Sequence, residues 1–165
     1  MQNPMDLDAL IDLRLLLRRT EETIQKARQK ELRKYGITTE ASAVLHIISD
    51  LGGSARLQEL SHWLFRKQHT IQELLNRMEK AGLVQRINEP NRKNGVRVAL
   101  TKQGKDLYRQ TKQLRGPRRI FSSLTQEQHT QLKTFLHILL DEAQKELGDK
   151  DEVELRPLHN SRPVK

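Results

Sequence analysis

A change of period constrains this chain more than any other feature. Along most of its length apolar residues recur three and four apart, as on helix faces. Over residues 83–88 and 96–100, however, short runs rich in Val and Ile flank the polar stretch Glu89-Pro90-Asn91-Arg92-Lys93-Asn94-Gly95. Two β-branched runs around a turn-forming segment predict one β-hairpin with a basic tip. A lone hairpin cannot bury its own face, so helices must supply the rest of the core. The expected class is mainly α with a small β-hairpin, an α+β fold.

The helices follow from their punctuation. Residues 6 to about 34 carry Leu7, Leu10, Ile11, Leu13, Leu15, Leu16, Leu17 and Ile24 with no proline or glycine, which predicts a long helix apolar around much of its first half. Gly36 breaks it. Thr38 or Thr39 caps a second helix through Ala41, Val44, Leu45, Ile47 and Ile48, which Gly52-Gly53 ends. A short helix over residues 56–64 has Leu57, Leu60, Trp63 and Leu64 on one face. The next, from about 67 to 81, has Ile71, Leu74, Leu75 and Met78 at helical spacing before Gly82. After the hairpin Thr101 caps a helix expected to end or kink at Gly116-Pro117. Thr125 and Gln128 form a capping box for a last helix striped by Leu132, Phe135, Leu136, Leu139, Leu140, Ala143 and Leu147. Residues 149–165 are polar and proline-bearing, and are expected to be a flexible or extended tail.

Composition narrows the function. Thirty Lys and Arg against 21 Asp and Glu give a net charge of +9, which attracts a polyanion such as nucleic acid. The absence of cysteine excludes disulfides, thiolate metal sites, cysteine nucleophiles and thiol redox sensors. No run of about 18 apolar residues is present, and residues 1–10 lack the basic start and apolar core of a signal peptide, so a cytoplasmic protein away from membranes is expected. His137 and Asp141 lie one helical turn apart, His129 two turns before His137, and His62 and His69 on either side of a turn. No spacing closes a metal shell. Ser42, Ser49, Ser54, Ser61, Ser122 and Ser123 lie in no nucleophile elbow, and there is no glycine-rich phosphate loop. Neither an enzyme nor a metal or cofactor site is expected.

Two short helices joined by a tight turn and followed directly by a basic-tipped hairpin make a winged helix-turn-helix, whose second helix fits a DNA major groove while the hairpin reaches the flanking backbone or minor groove. With Ile71, Leu74, Leu75 and Met78 inward, the opposite face carries His69, Thr70, Gln72, Glu73, Asn76 and Arg77, which can bond to base edges. Lys67 and Gln68 sit at the helix start, where the dipole and free N–H groups favour phosphate. A solvated polar face is the alternative for these residues. The wing weakens it, because Arg86, Arg92, Lys93 and Arg97 stand against Glu89 alone, with Asn94 at the same tip. The expected organisation is a DNA-binding domain over residues 37–116 between dimerising helices at 1–36 and 117–148. One head of this size cannot cover the stripes at both ends of the chain, so Leu7, Leu10 and Ile11, with Leu132, Phe135, Leu136, Leu139 and Leu140, are assigned to a homodimer interface.

From Leu57 to Leu107 the chain resembles the reading head of the MarR family, most specifically in LLNRMEKAGLVQR from Leu74 and VRVALTKQG from Val96. With the flanking helices the resemblance covers about residues 6–147. It implies a two-fold dimer on a pseudo-palindromic duplex operator, acting as a transcriptional regulator, typically a repressor that a small aromatic or anionic effector releases. It also implies an effector pocket between head and dimer layer, for which Trp63, Tyr35, Arg14, Arg18 and His46 are candidates; ordinary core aromatics are the alternative for Trp63 and Tyr35. The segment HWLFRKQHT is similar to regulators associated with reductive dehalogenase genes in organohalide-respiring bacteria. Departures fall where DNA is read: Arg92-Lys93-Asn94 replaces the family's wing Asp-Arg pair, Phe65 stands at a frequent glycine, and Glu73 at a frequently basic position. Two other readings stand beside this one. The basic run Lys102, Lys105, Arg109, Lys112, Arg115, Arg118 and Arg119 fits a non-specific architectural DNA binder, and the winged helix also serves as a protein-interaction module.

Overall fold

The computed structural model describes residues 6–89 and 95–148. Its long first helix, α1 (Leu7–Leu32), runs through a 3-10 turn (Arg33–Tyr35) to Gly36, whose φ of +68° closes the turn. Helix α2 (Thr39–Asp50) starts at Thr38, whose hydroxyl accepts from the Ala41 N–H at 3.2 Å. Strand β1 (Ser54–Ala55) follows, then α3 (Leu57–Trp63), α4 (Gln68–Lys80), β2 (Val84–Asn88) and β3 (Val96–Leu100). The chain continues through α5 (Lys102–Lys112), α6 (Arg115–Phe121) and α7 (Gln126–Leu147). Thr125 and Gln128 make the reciprocal capping box at the start of α7 that their spacing predicts.

The sheet has three antiparallel strands in the order β1-β3-β2, with Arg86 opposite Val98 and Asn88 opposite Val96. β1, only two residues long, is too short to show a period, and its pairing of Ala55 with Val98 turns the expected hairpin into a sheet with a covered edge. The main core cluster lies inside the head, with Leu32 of α1 buried outside it. Val44, Leu45, Ile47 and Ile48 of α2 meet Leu60 of α3, Ile71, Leu74, Leu75 and Met78 of α4, and Leu83, Val84, Val98 and Leu100 of the sheet. Gly104 is essential to this packing: a Cβ there would stand 2.0 Å from the Leu83 carbonyl oxygen, so only glycine lets the first turn of α5 lie against the entry to β2.

One break lies elsewhere than the sequence places it. The helix after the wing ends at Lys112, and Gly116-Pro117 falls within the first turn of α6, where a proline's missing N–H removes no intrahelical bond. The Gly116 N–H donates to both carboxylate oxygens of Glu31 at 2.9 and 3.0 Å, which ties the start of α6 to the end of α1. Beyond that tie the outer helices bury little. Leu7, Leu10, Ile11, Leu132, Phe135, Leu136, Leu139 and Leu140 are all exposed, and α7 has no buried residue along its length. Among the described residues, no helix is long and apolar enough to cross a membrane.

Candidate nucleic-acid interface

Helix α4 is divided along its length. Ile71, Leu74, Leu75 and Met78 are buried in the core, while Lys67, Gln68, His69, Thr70, Glu73, Asn76 and Arg77 are exposed and Gln72 is half-buried. All eight sequence-assigned residues lie on the face of α4 away from the core or at its N-terminal end. Lys67 occupies the N-cap without a side-chain hydrogen bond, and no acidic residue lies in the first turn, so the N-terminal N–H groups keep their positive end of the dipole uncompensated. Among the described residues Asn76 is engaged on one side only: its amide oxygen accepts from Gln72 at 3.1 Å and from the Arg86 guanidinium at 2.6 Å. The donor end of the amide is what it has to offer a ligand.

The wing arginines stand differently from one another and from the sequence reading of four open cations. Arg86 of β2 makes an ion pair with Glu79 of α4, and its backbone N–H donates to the same carboxylate at 3.3 Å. Arg97 of β3 points back into the fold. It donates to the Ser54 hydroxyl and the Ser54 carbonyl, both at 2.9 Å, and to Glu59 at 3.3 Å, with Glu89 at 3.6 Å, and its side chain is only 20% exposed. Arg56 completes the group by binding Glu89 through both its Nε and Nη2, which raises its guanidinium pKa above the ordinary value, and its backbone N–H donates to Glu59 at 2.6 Å. Two cations and two carboxylates so pin the base of the hairpin to β1 and α3. Nothing in the sequence pointed to Arg56 or Glu59 as partners of the wing, because Glu89 and Arg97 lie more than thirty residues away; the local bond between Arg56 and Glu59 marks only the start of α3. The backbone closes below the tip with the Glu89 N–H on the Gly95 carbonyl at 2.8 Å. Arg92, Lys93 and Asn94 lie outside the described residues.

The five residues suggested for an effector pocket are dispersed. Arg14 and Arg18 are exposed on α1, and Arg18 donates to Glu22 at 2.9 Å, which raises its own pKa and lowers that of Glu22. His46 sits between Asp50 (3.3 Å) and the ring of Tyr108 on α5 (5.7 Å between centroids). Trp63 packs half-buried against the core, as its core-aromatic reading has it. Tyr35 instead lines an open cleft of about 570 Å³ between the end of α1, the end of α4 and α5, together with Ile37, Leu83, Lys102, Asp106 and Leu107. None of Arg14, Arg18, His46 or Trp63 borders it. Among the described residues no three histidine or acidic side chains converge as a metal site would need.

A two-helix reading unit, a third supporting helix and a wing hydrogen-bonded to it define a winged helix-turn-helix, and residues 37–104 match the model of the winged helix DNA-binding domain. The chain is a DNA-binding transcriptional regulator. It is similar to transcriptional regulators of the MarR type. An uncharacterised HTH-type transcriptional regulator of Bacillus subtilis, YsmB, is 28% identical over 124 residues, covering 74% of this chain and 84% of that protein. A mutant of MarR from E. coli, solved in complex with operator DNA, is 26% identical with a TM-score of 0.71, covering 82% of this chain and 99% of that one. The organohalide-sensing RdhR transcriptional regulator in its 2,4-dichlorophenol-bound form is also 26% identical, with a TM-score of 0.70 over 86% of this chain and 87% of that one. Equal identity to both draws this chain no nearer to the organohalide sensors than to MarR itself.

Proposed function

We propose that this regulator works in the cytoplasm as a homodimer on a pseudo-palindromic duplex operator, α4 of each protomer lying in a major groove and the wing on its flank, and that it is a repressor released by a small aromatic or anionic effector. The division of α4 carries the reading: a helix held by four buried apolar residues presents an unbroken polar face with an uncompensated N-terminus. Lys67 and Gln68 serve phosphate, and His69, Thr70, Gln72, Glu73, Asn76 and Arg77 serve base edges. In the wing, Arg92, Lys93 and Asn94 are assigned to the flanking backbone or minor groove; Arg86 and Arg97 orient the helix and hairpin that carry the contacts. The operator complex of MarR supports the groove assignment, and the dichlorophenol-bound relative supports the effector class.

Selection of binding sites from random duplexes tests the reading. An inverted repeat with half-sites about one helical turn apart is expected, with affinity that falls steeply with salt. Binding without sequence preference would make the chain an architectural binder. No salt-dependent retention on duplex would make it a protein-interaction module. Phenols and benzoates added to the operator complex should weaken it, and the cleft beside Tyr35 offers aromatic, apolar and cationic walls for such a ligand.

A further inference from the structure

Phe65, with φ +50°, is the only non-glycine residue among the described residues whose backbone is left-handed. It occupies the turn between α3 and α4. Its N–H donates to the His62 carbonyl at 3.1 Å, and the Arg66 N–H donates to the Ser61 carbonyl at 3.0 Å, the paired bonds of a helix end that ordinarily closes on glycine. The Ser61 hydroxyl donates to the Arg66 carbonyl and locks the turn further. A side chain in this conformation crowds its own backbone. The fold takes nothing from the ring in return, for Phe65 is 66% exposed. A strained backbone and a solvent-facing aromatic at one position are two costs that folding does not require, and such an outlier points to function.

We propose that Phe65 is a specificity residue for DNA, its ring packing on the C5-methyl of a thymine at the edge of the major groove that α4 enters. The surroundings favour a duplex over an apolar protein partner. Arg66 and Lys67, next in the chain, are both exposed, and neither has an ion pair among the described residues. A protein interface needs a contiguous apolar patch, whereas Leu64 and Trp63 beside Phe65 pack against the core and the next two residues in the chain are cations. Thymine methyls stand on the groove wall beside the phosphates that such cations bind, and apolar side chains read them by contact alone. The proposal rests on the reading that α4 lies in the groove.

The test uses the full chain, its selected operator, and that operator with thymines replaced one at a time by uracil. Phe65→Gly and Phe65→Asn suit a left-handed position and should fold with a Tm equal to or above the parent's. Both should bind the operator about fourfold more weakly per half-site, the value of one buried methyl, with the salt slope unchanged. One uracil position per half-site should weaken the parent by the same factor and leave the variants unaffected. A Phe65→Gly protein that binds like the parent, or a parent indifferent to every uracil, overturns the proposal. Arg77→Ala separates the two levels. If it relaxes the preference while Phe65→Gly changes nothing, only the role of Phe65 falls; if the parent selects no site at all, the groove reading falls with it.

Discussion

Arg97 and Lys93 carry the same charge and lie four residues apart in the sequence, yet opposite behaviour is expected from them. Arg97 is held by Ser54, Glu59 and Glu89, so replacing it by Ala removes one cation from both carboxylates and should destabilise the head by about 1–3 kcal/mol. It should leave the slope of log K against log salt near the parent's. Lys93→Ala, in the stretch that the sequence assigns to the wing tip, should do the reverse, lowering affinity on all sequences and reducing that slope by about one, with no change in Tm. Thermal melts and salt titrations of the two variants decide it, and a reduced slope for Arg97→Ala would return that residue to the interface. Arg77 belongs to a third kind. It is exposed on α4 with no ion pair among the described residues, and its loss should cost about 1–3 kcal/mol on the selected site, relax the preference at one or two base pairs, and change binding to a scrambled duplex much less.

At the scale of elements, the head is a wedge of helices whose phase is set by which residues face Leu45 and Ile48. Leu74 is buried in that wedge, and truncating it leaves a cavity the surrounding helices can close only in part. Leu74→Ala should therefore cost about 2–5 kcal/mol in denaturant unfolding, and DNA binding should fall with it; a variant that melts like the parent would mean α4 is rotated from this phase. Periodicity and punctuation made this level legible. The inward set Ile71, Leu74, Leu75 and Met78, the caps at Thr38, Thr101 and Thr125, and the strands on either side of the wing tip are all local patterns, and each is found where spacing puts it. What stayed hidden is non-local. β1 is defined only by its partner β3, the tie between Glu31 and Gly116 joins residues 85 apart, and Arg56 and Glu59 bind wing residues that no window along the chain contains. The end of α5 was misplaced for a related reason: Gly-Pro reads as a stop, but at the start of a helix the same pair is tolerated.

For the whole molecule the decisive fact is where the apolar surface is not covered. The head closes its own core, but α1 exposes seven leucine and isoleucine side chains between Leu7 and Leu17, and α7 exposes Leu132, Phe135, Leu136, Ile138, Leu139, Leu140 and Leu147. Scattered apolar residues are ordinary on a surface; two helices so exposed along adjoining turns are a face that needs a cover. In the proposed homodimer a second copy would supply it at no cost in specificity, because a two-fold axis would present each face to its own equivalent and set two α4 helices at a fixed separation for two half-sites. The full chain is therefore expected to sediment at twice its 19.3 kDa and to bind operator as that species. Paired substitution of Leu136 and Leu140 by Glu should shift it to the monomer, because charges buried at an apolar interface lose their hydration without gaining partners. The monomer's head should still fold, since none of its core residues lies on α7, but its operator affinity should collapse toward that of a single half-site. Deleting the chain from Thr125 onward would remove the α7 half of the proposed cover from the α1 stripe and should leave an aggregated or unfolded product. Sedimentation and operator titration of the three proteins decide the matter: a truncated chain that stays soluble, monomeric and tight on the full operator would show that the outer helices serve something other than pairing the two heads.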